Sequence, residues 1–527
     1  MRRFYSYGSV NIKLHYYAPR EELLEKTYNN LVGENPAEGG HYFTVWAPRQ
    51  TGKTWIMQQI LFRLKKDPRF YVLKLNLEIL KDQKKVSDII KIIAKYIGEG
   101  LGKKFKGIDN VNKFQEIFKK DVLDKPLILI LDEFDALAEE GINAIVSAFR
   151  NIYFQRTDEV DIPTEKKTYL LHGAALIGVR SVLGIENQKG SPFNVQRSLH
   201  IPNLTYPEVD GMFKWYEKES GQQVEEAVVR ELYEETRGQP GLTCWFGELL
   251  TETYNHDPKK PITMDNFREA YGAATHILPN NNILNLISKV NKPPYDEMVM
   301  EFFKTSEKVE FKFNQKDINY LYMNGVIAEE KTDTNEYYLK FSCPFVQKSL
   351  FDYFSNQIFS YLGQLIHPLD AMKDAVDEET LNIPNIIKRY QAYLKKNYEV
   401  FFKDVPRRKT DLKIYEAVYH FNLYRYLYDL LRARGVEVVP QFPTGNGKID
   451  LILKYREKIY ALELKSFTDM YRFERGIEQA AEYGRQLGLK EIVFLVFVEL
   501  SQEEAKPLEQ TVDRGGIKVI TLPVAIL

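Results

Sequence analysis

Residues 41–64 read HYFTVWAPRQTGKTWIMQQILFRL. The stretch begins as a short apolar strand, passes through the loop Ala47–Thr54 and continues as an amphipathic helix. The loop matches Gly-x-x-x-x-Gly-Lys-Ser/Thr, except that alanine stands in place of the first glycine. Gly52 permits close approach of the backbone, so that successive N–H groups at the helix start surround a phosphate. Lys53 is then expected to reach the terminal phosphates, and the Thr54 hydroxyl to hold Mg²⁺.

A second segment, residues 124–137 (DKPLILILDEFDAL), supplies the acids that complete such a site. Its continuous apolar run predicts a buried parallel strand that ends at Asp132 and Glu133. The carboxyl end of a parallel strand is where an open α/β sheet binds its ligand. We therefore expect Asp132 to hold Mg²⁺, and Glu133 to orient and deprotonate the attacking water. Together the two segments predict an ATP site with Mg²⁺ as its metal ion.

The chain has 527 residues, enough for three or four domains. Its formal net charge of −1 gives no overall attraction to nucleic acid, so any such binding must depend on local patches. Cys244 and Cys343 lie far apart in unlike contexts, which argues against a disulfide framework or a zinc site. No apolar run follows the arginines of MRRFYSYGSV, and the longest apolar runs are too short to span a bilayer. We expect a cytoplasmic protein without a membrane segment.

Four stretches, APRQTGKT, LILILDEFDAL, ALIGVRSV at 175 and SPFNVQRSLHIPNLTYPEV at 191, resemble the AAA-like ATPases of bacteria and archaea. That clade lies near the AAA+ and signal-transduction NTPases, and YYAPREEL at 16 resembles the segment before its nucleotide site. The resemblance covers roughly residues 1–280. It implies a sensor-type polar group at Arg180 and a helical lid whose RGQPGL motif brings Pro240 and Gly241 near the nucleotide. The expected nucleotide contacts are Arg49, Gln50, Thr51, Gly52, Lys53, Thr54, Trp55, Asp132, Arg180 and Pro240.

Arg150 and Arg156 follow the acidic strand, where such families present an arginine to the nucleotide of a neighbouring subunit. The alternative is that both are solvated arginines on a helix surface. The sequence leaves these two interpretations open, and it is compatible with a homo-oligomer.

The middle of the chain contains PPYDEMVMEFF, QKDINYLYMNGVI and NEYYLKFSCPF in that order. Two helices followed by a charged β-hairpin are typical of a winged helix. The expected recognition helix, Gln315–Met323, has only one lysine and one aspartate, whereas a groove-reading helix needs cations for phosphate contacts. A packing module is therefore favoured over a DNA-reading module.

A basic segment begins at Lys388 and reads KRYQAYLKKNYEVFFKDVPRRKT. Eight cations against two acids give it a local charge of +6, with tyrosine and phenylalanine interleaved. Cations with aromatics suit a surface that follows a nucleic-acid strand. The aromatics equally suit the core face of a helix whose outer face is solvated lysine, and both interpretations stay open.

Residues 445–466, GNGKIDLILKYREKIYALELKS, place charges inside two apolar strands. A turn symmetric about Arg456 and Glu457 would set Asp450 opposite Glu463, with Cβ atoms about 5 Å apart. Strand alternation puts Glu463 and Lys465 on one face. Hard oxygen ligands of this kind suit Mg²⁺ or Mn²⁺. The lysine would then orient a water or stabilise a developing phosphate charge.

The order helix, three strands, helix, strand, helix, strand, with Asp-x12-Glu-x-Lys on the hairpin, resembles the PD-(D/E)XK nuclease superfamily over about residues 410–527. That resemblance implies metal-dependent cleavage of DNA. Glu416 fits the extra acid that members frequently have, and Gln479 and Tyr483, in QAAEY, fit a supporting element of some branches. Ile449 replaces the proline before the first acid.

The alternative for this cluster is a structural salt bridge between Lys465 and its two acids, Asp450 and Glu463. A single lysine would leave one carboxylate uncompensated, and a buried uncompensated charge is costly. The salt bridge therefore explains the triad less well than a metal site does.

The predicted fold class is α/β: a P-loop NTPase parallel sheet with a helical lid, a winged-helix-like middle module and a C-terminal restriction-endonuclease-like α/β domain. The predicted domains are an ATPase core at 1–205, the lid at 206–285, the winged-helix-like module at 286–355, a basic and aromatic linker at 356–409 and the nuclease-like domain at 410–527.

The predicted function is ATP binding and hydrolysis joined to a metal-dependent nuclease that acts on DNA. The predicted catalytic residues are Glu133, Asp450, Glu463 and Lys465. The alternative is a nucleotide-controlled switch for signalling or assembly, whose C-terminal domain binds nucleic acid or protein without cleaving it.

Overall fold

The computed structural model describes residues 1–8, 10–178, 198–304, 308–365, 370, 372–403, 405, 407, 414–444 and 447–526. The chain divides into two compact units. The first contains Met1–Lys289 and Glu310–Pro344, and the second contains Val290–Val309 and Phe345–Leu527.

The first unit is built on a five-stranded sheet. Its strands are β1 (Tyr42–Trp46), β2 (Tyr71–Asn76), β3 (Leu127–Asp132), β4 (Leu171–Gly178) and β5 (Ser198–His200). They lie in the order β2-β3-β4-β1-β5, and every neighbouring pair is parallel. β3 and β4 are buried along their whole length. For β3, the continuous apolar run predicted this burial. The predicted parallel α/β sheet is confirmed.

Helices cover both faces of this sheet. They are α1 (Glu21–Val32), α2 (Lys53–Leu64), α3 (Val86–Leu101), α4 (Val111–Glu116) and α5 (Glu139–Asp158). Alternate residues of β3 point to opposite cores: Leu129 packs with α3, α4 and α5, and Ile130 packs with α1 and α2. Because β4 lies between β1 and β3, the loop after β1 and the acids after β3 share one edge of the sheet with the end of β4.

Helices of the predicted lid follow β5. They are α6 (Tyr206–Ser220), α7 (Glu226–Thr236), α8 (Pro240–Glu248), α9 (Met264–His276) and α10 (Asn281–Val290). Thr205 starts α6 with a reciprocal cap, since its hydroxyl accepts from the N–H of Glu208 while the Glu208 side chain accepts from the N–H of Thr205. At the start of α8, the Gln239 side chain accepts a single cap bond from the N–H of Leu242, and Pro240 lies in the first helical turn.

The predicted winged-helix-like module at 286–355 is divided between the two units. Its elements are α11 (Tyr295–Lys304), α12 (Lys316–Met323), β6 (Ile327–Lys331) and β7 (Tyr337–Phe341). α12 and the antiparallel β6–β7 hairpin belong to the first unit, whereas α11 belongs to the second. Local sequence patterns gave the correct elements here but not the core into which each one packs.

The second unit contains a six-stranded mixed sheet. Its strands are β8 (Glu437–Thr444), β9 (Gly447–Tyr455), β10 (Lys458–Ser466), β11 (Glu491–Val498), β12 (Gln510–Arg514) and β13 (Ile517–Ala525). They lie in the order β12-β13-β11-β10-β9-β8, with β10, β11 and β13 parallel to one another. The sequence predicted a single last strand, whereas the structure adds β12 as an antiparallel edge partner of β13.

The remaining helices of this unit are α13 (Pro344–Ile358), α14 (Ile383–Phe402), α15 (Glu416–Leu431), α16 (Met470–Gln486) and α17 (Gln502–Ala505). α15 is buried along most of its length, which explains its aromatic sequence. Four of the five aromatics of the basic segment also lie in a core: Tyr390, Tyr393, Phe401 and Phe402 are buried, and Tyr398 is half-buried. They are therefore packing residues, and base stacking on them is not supported.

In the described part of the chain, no helix is long and apolar enough to cross a membrane.

Candidate functional site

The loop between β1 and α2 has a backbone shaped for an anion. Gln50 and Gly52 adopt left-handed conformations, with φ of 57° and 87°, so that the chain turns sharply into α2. The carbonyl oxygens of Ala47 and Pro48 each accept a hydrogen bond from the Lys53 ammonium at 2.7 Å. Pro48 also accepts from the Thr51 hydroxyl at 2.7 Å. The carbonyls of Ala47 and Pro48 are therefore held by two side chains of the same loop.

The loop carbonyls that remain, at Arg49 and Gln50, are bound by the start of α8 in the predicted lid. The side-chain amide of Gln239 donates to both, at 3.1 and 3.4 Å, and the N–H of Gly241 donates to Gln50 at 3.0 Å. By contrast, no backbone N–H from Arg49 to Lys53 donates a hydrogen bond to any of the described residues. Carbonyls held by internal donors, together with N–H groups left without acceptors at a helix start, are the arrangement that binds phosphate.

Lys53 lies among the acids that follow β3. Burial lowers its pKa to about 8, and the negative charges of Glu133, Asp135 and Asp132 oppose that shift. An anion bound in the loop would favour the charged ammonium, so the lysine is suited to respond to a phosphate.

Asp132 and Glu133 lie where the sequence placed them, at the carboxyl end of β3. Asp132 is buried, and its carboxylate forms a 2.9 Å ion pair with Lys74 of β2. Glu133 adopts a left-handed conformation with φ of 53°. Burial raises the pKa of Glu133, and Asp135 and Asp132 raise it further. A carboxylate with a raised pKa is a better proton acceptor for an attacking water.

Three residues near this site were not identified from the sequence. Lys74 lies in an alternating strand, Asp135 lies beyond the expected acid pair, and Gln239 lies in a lid motif noted for its proline and glycine. The Asp135 carboxyl fills the space beside Gly178, where an added Cβ would lie 2.8 Å from it. Only Asp135 gave a local signal, as the third acid of the DEFD motif.

Among the other predicted nucleotide contacts, Trp55 is buried on α2 and meets the ring of Tyr17 edge-on at 5.3 Å. Pro240 begins α8 directly beside the loop-binding Gln239. Thr54 lies in the first turn of α2. Arg180 lies outside the described residues. These four assignments remain predictions.

The two proposed arginine fingers differ in their surroundings. Arg156 is buried and donates to the Thr164 hydroxyl at 2.7 Å and to the carbonyl of Tyr169. Arg156 is therefore a structural residue of the first unit. It is neither placed to act as an arginine finger nor solvated on a helix surface. Arg150 is half-buried, with its guanidinium 5.4 Å from the ring centroid of Phe154.

The second cluster of charges lies on the β9–β10 hairpin. Lys458 pairs with Tyr455 and Leu462 pairs with Leu451, so the turn consists of the two residues between the strands, as the sequence predicted. The described pairing of the two strands ends at Leu462 and Leu451, so the position of Asp450 directly opposite Glu463 stays a prediction. Asp450 accepts a 2.8 Å hydrogen bond from the backbone N–H of Leu464 through its side chain.

Lys465 joins the acids of two elements. Its ammonium lies 3.0 Å from Glu463 on the same strand and 3.6 Å from Glu416 at the start of α15. Glu416 also accepts a 2.9 Å hydrogen bond from the N–H of Ser466. The described ion pairs of Lys465 are therefore with Glu463 and Glu416, so the proposed salt bridge with both Asp450 and Glu463 is not the arrangement found.

Glu463 is the most deeply buried charged side chain of this cluster. It is 1% exposed, and its second carboxylate oxygen, Oε2, has no hydrogen-bond partner. Burial raises its pKa, the neighbouring Asp450 carboxylate raises it further, and Lys465 opposes the shift. A buried carboxylate oxygen without a donor is a position where a cation would relieve the local charge.

Two other predicted residues lie on α16. The Gln479 amide donates to the Tyr483 hydroxyl at 2.7 Å. Burial raises the pKa of Tyr483, and the Glu463 charge contributes, which places the tyrosine within electrostatic range of the cluster. His420 of α15 is a neighbour that the sequence did not predict: its ring contacts the backbone carbonyl of Asp450 at 2.8 Å.

The donor set of this cluster fits a divalent cation only in part. Asp450 and Glu463 supply hard carboxylate oxygens, of which Glu463 Oε2 is unpartnered. Within the described ranges, however, no group of three or more histidine, cysteine, aspartate or glutamate side chains is arranged to hold a metal ion. Two carboxylates would have to be completed by water or substrate oxygens.

No protein-family model and no curated protein matches this chain. Among solved structures, the Walker-type ATPase of Pyrococcus abyssi is similar at 15% identity with a TM-score of 0.45, over 66% of this chain and 99% of that one. The ORC1 protein of Aeropyrum pernix in complex with DNA is similar at 14% identity with a TM-score of 0.34, over 63% and 92%. The Thermotoga maritima RuvB Holliday junction branch migration motor is similar at 14% identity with a TM-score of 0.34, over 61% and 92%. Similarities this distant assign no activity, ligand or partner to this chain.

Proposed function

We propose that the first unit binds and hydrolyses ATP at the loop Ala47–Thr54. The observation that carries this proposal is the orientation of the loop peptides: four successive carbonyls are held by internal donors, and the N–H groups from Arg49 to Lys53 are left for an anion. A half-buried lysine at the helix start and two acids at the end of the parallel strand β3 add the charges that phosphoryl transfer requires.

Each of these side chains has a distinct role in the proposed reaction. Lys53 would bind the terminal phosphates and stabilise their charge. Thr54 and Asp132 would hold a Mg²⁺ ion, which supplies neutralisation of the phosphate oxygens when bound. The hard oxygens of a hydroxyl and a buried carboxylate fit that ion. Glu133, whose pKa is raised, would orient the attacking water and accept its proton.

A steady-state assay of phosphate release from ATP tests this proposal. We expect Mg²⁺-dependent turnover by the wild-type protein and none by Lys53→Ala. Turnover that is equal in the two proteins would refute the site.

We further propose that the second unit is a metal-dependent nuclease that acts on DNA. The support is the buried and unpartnered oxygen of Glu463 beside Asp450, with Lys465 positioned on the same strand. In this proposal Asp450 and Glu463 would hold Mg²⁺ or Mn²⁺, which polarises the phosphodiester when bound. Lys465 would stabilise the developing charge, and Glu416 would hold the lysine in place.

Incubation of supercoiled plasmid and of a linear duplex with the protein tests this second proposal. Parallel reactions contain Mg²⁺, Mn²⁺ or chelator, each with and without ATP. We expect cleavage only with a divalent cation, and none by Lys465→Ala. Cleavage of equal rate in chelator would refute a metal-dependent nuclease.

A specific observation favours a second candidate, a switch whose C-terminal unit binds nucleic acid or protein without cleaving it. Lys465 is already paired with Glu463 and Glu416, and the described residues hold no three-ligand metal group. Binding of DNA without cleavage under any of the conditions above would support this candidate. DNA as the partner and a homo-oligomeric assembly remain predictions.

A further inference from the structure

We propose that Gln239 is a positioning residue for the phosphate loop: its side-chain amide sets the direction of the Arg49 and Gln50 peptides. This inference rests on the proposed binding of nucleotide by that loop. It assigns a function to the start of the lid helix α8 that its sequence motif did not reveal.

The Gln239 side chain has two ends with different partners. Its carbonyl oxygen accepts the N–H of Leu242 at 2.6 Å and thereby caps α8. Its amide nitrogen points the other way and donates to the carbonyls of Arg49 and Gln50, at 3.1 and 3.4 Å. The backbone of Gly241 adds a third bond, from its N–H to the Gln50 carbonyl at 3.0 Å. One glutamine therefore connects the start of α8 to the two loop carbonyls that no side chain of the loop itself binds.

The loop needs such an external contact because of its own conformation. Gln50 adopts a φ of 57°, which a residue with a side chain rarely maintains without support from its surroundings. If the Arg49 and Gln50 carbonyls rotated inward, they would present oxygen atoms, and not N–H groups, to a phosphate. Bonds from the lid prevent that rotation.

Close packing reinforces the contact. A Cβ added to Gly241 would lie 2.4 Å from the side-chain oxygen of Gln50 and 2.7 Å from its Cβ. The start of α8 thus lies directly on the Gln50 side chain, and only glycine leaves room for it. Gln239 and Gly241 therefore act on the same loop residue: both donate to the carbonyl oxygen of Gln50, and Gly241 also packs against its side chain.

Two variants separate the loop contact from the helix cap. Gln239→Glu keeps an acceptor for the Leu242 N–H but loses the donor and sets a negative charge beside two carbonyls. Gln239→Ser keeps a favourable N-cap, introduces no charge and is too short to reach the loop. Gln223→Glu is the matched control, because it makes the same charge change at an exposed position on the lid.

Binding is measured by calorimetry with ATP and with inorganic triphosphate, and folding by melting temperature. For both Gln239 variants we expect affinity for each ligand to fall by about tenfold, the effect of losing one or two hydrogen bonds. The melting temperature should stay near the wild-type value. In steady-state hydrolysis KM should rise while kcat stays within about threefold of wild type, because Glu133 is untouched. Gln223→Glu should match wild type throughout.

Each other outcome is decisive. Wild-type affinity in Gln239→Ser would overturn the positioning role while leaving the proposed ATP site intact. A melting temperature that falls together with affinity in both variants would show that Gln239 serves the lid fold only. An equal loss of affinity in Gln223→Glu would attribute the effect to lid charge. If the wild-type protein bound neither ATP nor triphosphate, that result would refute both the proposed function and the positioning role.

Discussion

The ammonium of Lys53 lies 2.7 Å from the carbonyl oxygen of Ala47, the residue that stands where the phosphate-loop pattern has its first glycine. A carbonyl contact does not require glycine, and Ala47 is fully buried in the core below α2. The substitution is thus accommodated by packing, while the turn itself depends on the left-handed Gln50 and Gly52. The departure from the pattern leaves the proposed phosphate-binding geometry in place.

The first prediction concerns the pH dependence of ATP binding. Burial lowers the Lys53 pKa to about 8, and a bound phosphate would raise it. Affinity should therefore be constant below pH 8 and fall as pH rises above it, because ATP binds the charged form. Near pH 8, binding should take up about half a proton, measured as a difference in calorimetric enthalpy between HEPES and Tris buffers.

Lys53→Arg provides the control for this measurement. A guanidinium stays charged at pH 8, so proton uptake should disappear in the variant even if affinity is reduced. A wild-type enthalpy that is the same in both buffers would contradict the assignment.

The second prediction separates binding from turnover. Glu133→Gln keeps the shape of the side chain and loses the proton acceptor, so ATP should bind with wild-type affinity. Hydrolysis should fall at least about a hundredfold, the usual effect of losing a general base. The exposed Glu140→Gln, seven residues away, should hydrolyse ATP normally. Wild-type turnover in Glu133→Gln would assign the base to another residue.

Local sequence patterns predicted those parts of the fold that depend on neighbouring residues. The apolar run before Asp132 predicted β3, and the length of the turn at Arg456 predicted the register of the β9–β10 hairpin. Contacts between distant segments left no such signal: Gln239 binds Arg49 across 190 residues, and Lys74 pairs with Asp132 from another strand. Side-chain pairing of this kind depends on the tertiary fold.

The missed strand β12 and the question that the sequence left open for α14 have the same physical origin. β12 is short, polar and half-exposed, so its sequence QTVDR lacks the apolar alternation of a core strand. The aromatic residues of α14 recur at helical spacing, which fits a core face as well as a stacking surface, and only the packed structure shows that Tyr390 and Phe402 are buried. Periodicity predicts that a face is apolar, but not what covers it.

The third prediction distinguishes a metal site from a structural ion pair in the second unit. Because Glu463 has a raised pKa, the folded state holds its proton more tightly than the unfolded state does. Its contribution to stability therefore decreases as pH rises above the ordinary glutamate value of 4.5. Glu463→Gln should match or exceed the wild-type melting temperature at pH 8 without metal, with a smaller advantage at pH 5. Asp450→Asn should likewise be no less stable.

Added Mg²⁺ or Mn²⁺ should raise the melting temperature of the wild type and of Lys465→Ala, but not of the two acid variants, because an amide is a poor ligand for a hard cation. All three variants should lose DNA cleavage. The contrary result is a wild-type melting temperature that neither metal changes, with acid variants that melt at lower temperatures than the wild type. That result would identify the cluster as a structural ion pair and exclude the nuclease.

The fourth prediction concerns the basic face of α14. Lys388, Lys395 and Lys396 are exposed on the side opposite its buried aromatics. If they contact phosphates, replacing all three by glutamine should reduce the slope of log affinity for DNA against log salt by about three. The same replacement at Lys81, Lys84 and Lys85, also exposed, is the control. An unchanged slope in the α14 variant would show that its lysines are only solvated.

The most direct test of the ATP site is calorimetric titration of Mg²⁺-ATP into the wild-type protein and Lys53→Ala at pH 7, where the wild-type lysine is charged. The Lys53 ammonium donates to the carbonyl oxygens of Ala47 and Pro48, and the charges of Glu133, Asp135 and Asp132 act on its pKa. We predict saturable binding to the wild type and an affinity at least about a hundredfold weaker, or undetectable, in a variant that still melts cooperatively. Equal affinity in the two proteins, or no binding to the wild type, would contradict the claim that this loop is a nucleotide site.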